Sequence, residues 1–195
     1  MKQLLLAITL LLTNPLFSKN PSDEITLKNG NKAQIKPQTF KIDLENKTIS
    51  YTPENTTASI KVKFQDFNSA EFGVNKFEVF NFEGNKSHEG YFVMAENSKF
   101  RLITRELASD DESVRKFEFL IINLNNTIID QHLFDNKKNQ KSSNLRSDIY
   151  GKIKFYFPDN LILLKRLEMY DRNSFSIENT SIIAFFNNPI YFRNN

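Results

Sequence analysis

Between Glu24 and about Phe134, apolar and polar residues alternate with a period of two, and no other feature limits more strongly what this chain can fold into. A period of two places successive side chains on opposite faces of a pleated strand, so this stretch is committed to a sheet. Phe40, Ile42 and Leu44 face one way and Lys41, Asp43 and Glu45 the other, and Asn46-Lys47 then turns the chain into residues 48–52. Ile60, Val62 and Phe64 alternate with Lys61 and Lys63, which gives one greasy and one cationic face. Further strands are expected at residues 25–28, with a turn at Asn29-Gly30, and at 33–36, 77–82, 90–96 and 99–107. The last pair, 116–123 and 127–134, is joined by Leu124-Asn125-Asn126 and is apolar on both faces, as expected of central strands. Hairpin-sized connections predict an antiparallel meander, in the form of a sheet, a sandwich or a small barrel.

Beyond the basic run at Lys137, Lys138 and Lys141 the pattern changes. Ser147 or Asp148 is placed to cap a helix with Ile149, Ile153, Tyr156 and Phe157 on one face, ended by Pro158. Residues 152–157 also alternate as a strand would, so both readings stand at this level. Asp159 or Asn160 then caps a leucine-rich helix over 161–169, and residues 177–187 form a third short helix ended by Pro189. The fold class is α+β: a mainly antiparallel β region over 19–144, with a helical C-terminal cap over 145–195 packed on the same domain.

The first eighteen residues belong to neither part. Lys2 gives a positive start, residues 4–12 are almost unbroken hydrocarbon, and Asn14-Pro15 ends any helix before Ser18, the pattern of a cleavable signal peptide over residues 1–18. The apolar run is about half the ~20 residues that a membrane-crossing helix requires. Export to the periplasm or beyond is therefore expected, with cleavage after Ser18 and no transmembrane segment afterwards. The chain has no cysteine, so disulfides, a lipid-bearing N-terminal cysteine and thiol chemistry are all excluded. Stability must come from a hydrophobic core. Without Lys2 the charge balance is 25 basic against 23 acidic residues, which gives no reason to expect a nucleic-acid partner.

Two compositional features look functional and have simpler origins. The 19 Phe residues belong to a joint excess of Asn, Lys, Ile and Phe, all encoded by AT-rich codons. The four Asn-x-Ser/Thr sites, at Asn46, Asn55, Asn125 and Asn179, number close to the roughly three that this composition yields by chance.

Candidate chemistry is sparse. His132 and Asp130 lie two apart on one expected strand, about 7 Å apart at their bases, a spacing open to a dyad or half of a metal site and equally to a solvated sheet face. His88 lies at a hairpin tip between Gly84 and Gly90. Asp110, Asp111 and Glu112 are consecutive, whereas a calcium loop alternates its oxygens and includes a glycine, so a loop is the better reading. Lys137, Lys138 and Lys141 read as a solvated linker, although acidic lipid or glycan would suit them. With five glycines and no nucleophile, phosphate-loop or zinc motif, no catalytic residue, metal ligand or cofactor is assigned.

The phrase Tyr156-Phe-Pro-Asp-Asn-Leu161 with its following helix, then Asn179-Thr-Ser-Ile-Ile-Ala-Phe-Phe-Asn-Asn-Pro189, resembles the ending of uncharacterised secreted or periplasmic proteins of flavobacteria and other Bacteroidota. Ile60-Lys-Val-Lys-Phe-Gln-Asp-Phe67 resembles a phrase in their strand-rich middle. The resemblance implies an exported bacterial protein and carries no reaction with it. The expected function is a non-catalytic periplasmic or secreted binding module whose partner is a protein, glycan or lipid of the envelope. A carrier of an apolar ligand, or a hydrolase with an unrecognised site, are the alternatives.

Overall fold

The computed structural model describes residues 23–84, 87–136, 142–172 and 180–193; the leader and the Lys137, Lys138 and Lys141 run lie outside them. Eight antiparallel strands form one open sheet. In chain order they are β1 (Glu24–Leu27), β2 (Lys32–Gln34), β6 (Phe67–Phe72), β7 (Asn75–Phe80), β8 (Glu89–Glu96), β9 (Phe100–Leu107), β10 (Lys116–Asn123) and β11 (Ile128–Asp135). Their spatial order is β11-β10-β9-β8-β7-β6-β1-β2. A second sheet of three strands, β3 (Lys41–Asp43), β4 (Thr48–Tyr51) and β5 (Ile60–Lys63), is inserted between β2 and β6. The helices α1 (Ser142–Tyr156), α2 (Leu161–Arg172) and α3 (Thr180–Asn187) follow. The fold is thus α+β with a β meander and a helical end, and the large sheet does not close into a barrel.

Local chemistry explains the turns. Gly30 sits at φ +84° in the β1–β2 turn, a left-handed conformation without penalty only for a residue lacking Cβ. Between β3 and β4 the Asp43 carboxylate accepts from both the backbone and the side-chain amide of Asn46. In the β10–β11 turn the Asn123 side chain accepts from the N–H groups of Asn125 and Thr127, each at 2.9 Å. Phe64–Asp66 forms a single 3₁₀ turn between β5 and β6.

One row of the register runs through the entire large sheet: Ala33, Ile25, Ala70, Phe77, Phe92, Thr104, Phe119 and His132 are successive cross-strand partners on one face. The small sheet covers the β1–β8 end of this face, where Ile49 and Tyr51 join Ile25, Phe64, Phe67 and Phe77 in a core. The helices cover the other end, where Ile149, Ile153, Phe157, Leu163, Leu167, Phe185 and Phe186 pack on Leu102, Phe117, Phe119 and Ile121.

Residues 152–157 are helical. Ile149, Tyr150, Ile153 and Phe157 are buried, whereas Phe155, which a strand would place beside Ile153 and Phe157, is 76% exposed. Burial at three- and four-residue steps decides for the helix. The helix begins at Ser142, a turn before the expected cap. Asn160 caps α2 by accepting from the N–H of Leu163 at 3.1 Å. The chain then returns to the sheet, with the N–H of Phe192 donating to the carbonyl of Met94 and that of Tyr191 to Val74.

The strand at residues 127–134 is not central. β10 is interior, as its apolar faces require, but β11 is the outermost strand of the sheet. Its apolar residues are correspondingly not all covered: Ile128, Ile129 and Leu133 are 41%, 42% and 60% exposed.

Candidate functional site

The two edges of the large sheet differ in a way that selects the site. The edge strand β2 has three residues, and the loop after β4 closes onto it: the N–H of Glu54 donates to the carbonyl of Gln34, and that of Lys36 to the carbonyl of Thr52. A short edge tied to a loop is blunted against further pairing. β11 has eight residues, and among the described residues no strand pairs with its outer side.

Beside this open edge lies α1, which presents two parallel ridges at four-residue spacing. The inner ridge, Asp148, Lys152 and Tyr156, reaches β11. The Lys152 ammonium lies 2.5 Å from Asp130 Oδ1 and 2.9 Å from His132 Nε2, and the Tyr156 hydroxyl donates to Asp130 Oδ2 at 2.8 Å. Asp148 Oδ2 lies 3.3 Å from His132 Nε2 and 3.8 Å from Lys152. The outer ridge, Ser147, Gly151 and Phe155, forms with Asp130 and the inner ridge the wall of a surface groove of about 540 Å³. His132 itself lies flat on Phe119, with ring centroids 5.0 Å apart.

The expected pairing of His132 with Asp130 is therefore replaced by a shared contact to Lys152. Both oxygens of Asp130 are occupied by Lys152 and Tyr156. Burial pushes the Asp130 carboxyl up, but these hydrogen bonds outweigh it and hold it below its ordinary range. Burial and the neighbouring ammonium lower His132, while the bond to Asp130 raises Lys152 and Tyr156. Each shift moves its group away from titration near neutrality, the reverse of what acid–base catalysis requires.

Gly151 is the odd residue of the groove. It stands inside a helix, where glycine costs about 1 kcal/mol relative to alanine, yet a Cβ there would meet nothing within 4 Å. Packing among the described residues gives no reason for it. Gly151→Ala is expected to raise folding stability by about 0.5–1 kcal/mol in urea unfolding; a loss would show that the helix is strained at this point.

A second polar cluster lies on the opposite face of the sheet. The Glu118 carboxylate is buried among apolar residues and accepts from Tyr91 at 2.7 Å, Arg105 at 2.8 Å and Gln131 at 2.6 Å. Arg105 also bonds Glu89 at 2.6 Å, and Lys47 reaches Glu89 at 2.6 Å. Burial raises the Glu89 carboxyl, but bonds from Lys47, Ser87 and Arg105 overcome this and bring it from 4.5 to about 2. A carboxyl held below its ordinary value stabilises the fold while ionised. That contribution is complete above about pH 4.5 and disappears as pH falls toward 2. The urea midpoint is expected to fall between about pH 6 and about pH 3, and to fall less in Glu89→Gln; equal slopes would remove Glu89 from the account.

The other candidates remain apart from the groove. Asp111 accepts from the N–H and hydroxyl of Ser113, so the acidic loop is a hydrogen-bonded turn. His88 lines a separate depression with Lys47 and Lys63. Among the described residues no group of three or more His, Asp or Glu is placed to hold a metal, and no helix is long and apolar enough to cross a membrane. Lys152 and Tyr156 escaped the reading of the sequence because their partner is more than twenty residues away. Glu118 and Arg105 had a visible signal: a charge within Phe117-Glu-Phe-Leu-Ile-Ile122 needs a buried partner. The chain matches no protein-family model, no curated protein and no solved structure.

Proposed function

We propose that this protein is an exported, non-catalytic module that binds an extended segment of a partner protein by adding it as a strand along β11. The observation that carries this reading is the contrast between the sheet edges: one short and closed by a loop, the other eight residues long, with Ile128, Ile129 and Leu133 exposed and its outer side unpaired among the described residues. A long exposed edge invites pairing and is normally kept short or covered; on β11 the charges of Asp130 and His132 turn to α1, while Ile129 and Leu133 stay exposed, and strand addition is the natural use of such an edge. Export rests on the leader at residues 1–18, and predicts a mature chain beginning at Lys19 by mass spectrometry.

The non-catalytic part of the reading rests on the engagement of the polar side chains with one another: both oxygens of Asp130 are taken by Lys152 and Tyr156, and Lys152 also contacts His132. Their evident task is to fix α1 beside the edge. The test uses extended peptides selected from a random library on the mature chain. Replacing Ile129 and Leu133 together by lysine, both already exposed, is expected to leave stability within about 0.5 kcal/mol and to weaken capture by at least about tenfold. Peptides that bind the double variant as tightly as the parent would locate the site elsewhere.

A further inference from the structure

An added strand on β11 would lie against α1, and the groove there is chemically one-sided. Two carboxylates, Asp130 and Asp148, face one ammonium, Lys152. Asp130 is consumed by Lys152 and Tyr156. Asp148 is held more loosely: both of its contacts among the described residues fall on Oδ2, His132 Nε2 at 3.3 Å and Lys152 at 3.8 Å, Lys152 is bonded more closely to Asp130, and the Asp148 side chain is 49% exposed. The outer wall is the Phe155 ring, exposed to solvent and touched edge-on only by Tyr156 among the described aromatic rings. Between Asp148 and Phe155 the helix surface is lowered by Gly151, over which there is open space.

We infer that this groove receives an arginine side chain from the added strand, with the guanidinium bonded to Asp148, stacked on Phe155 and lying over Gly151. A carboxylate and an aromatic face together suit a planar delocalised cation better than a compact ammonium. The cation also balances the excess negative charge. A Cβ or larger group at position 151 would occupy the space the guanidinium needs, which gives the otherwise costly glycine a purpose. This inference rests on strand addition at β11, yet it is separable from it.

The probe is N-acetyl-arginine N-methylamide, titrated into the isotope-labelled mature protein and followed by amide NMR shifts, with the citrulline analogue as its neutral isostere. Expected are shifts at Asp148, Gly151 and Phe155, with affinity in the millimolar range and weaker by about tenfold or more for citrulline. Asp148→Asn should abolish the difference between the two probes. Gly151→Leu should abolish binding without lowering the melting temperature, since leucine is the better helix former. Equal shifts from both probes, shifts elsewhere, or unchanged binding by either variant would overturn the inference. Library peptides that add to β11 without preference for arginine would also overturn it and leave strand addition standing. Arginine binding in the groove with no peptide protecting β11 would uphold the pocket and overturn strand addition.

Discussion

Arg105→Leu is expected to cost about 3–5 kcal/mol of folding stability, the largest loss of any single change considered. Arg105 joins two carboxylates, Glu118 and Glu89, and its side chain is only 20% exposed against 7% and 16% for theirs. Removing the cation leaves Glu118 charged among Tyr91, Val93, Ile103, Leu120 and Ile122, with only the neutral donors Tyr91 and Gln131. A buried charge stripped of its counter-charge is far more costly than the intact pair is favourable. Arg105→Leu combined with Glu118→Leu should therefore lose less than the sum of the two single changes, since neither charge is then stranded against the other. Urea unfolding of the four proteins checks this. A loss below about 1 kcal/mol for Arg105→Leu would mean that water reaches Glu118 and that this side of the sheet is open.

Gly90→Val is expected to follow, at about 3 kcal/mol. Gly90 lies in β8 opposite Val79, under the junction of the two sheets. A Cβ there would come within 2.7 Å of the Phe64 ring and closer still to the tip of Phe77. Neither ring has room to retreat: both are at least 98% buried, and Phe77 also packs on Phe40, Phe67 and Phe92 with centroids 5.4–6.3 Å apart. The glycine permits the small sheet to approach the large one. Shortening its neighbour should restore part of the loss, so Gly90→Ala with Phe64→Leu is expected to be more stable than the sum of the two changes predicts. Thermal unfolding decides; a Gly90→Val protein within about 0.5 kcal/mol of the parent would show that the sheets are loosely joined.

Much of the fold was legible because alternation and hairpin turns are local. The edges of the chain's strands moved by a residue or two, and the α+β order stood as read. β6 was missed for a local reason: the 3₁₀ turn at Phe64–Asp66 runs into it without a break, and its buried positions, Phe67 and Ala70, are three apart across a register shift opposite Thr26 and Leu27. β11 misled because an apolar strand looks the same whether or not a neighbour covers it. Its place at the edge is a property of sheet order, which periodicity does not encode. The site was legible only in half. Asp130 and His132 stood out on one strand, but their roles depend on Lys152 and Tyr156, brought to them by a helix that begins beyond the sheet.

On the proposed function β11 is a pairing edge and β2 is not. Amide hydrogen exchange of the mature chain, with and without a selected peptide, reads both edges at once. Amides on the outer side of β11 are expected to gain protection at saturating peptide while those of β2 are unchanged. Peptide binding that leaves β11 exchanging as in the free protein, or that protects β2 instead, would contradict it.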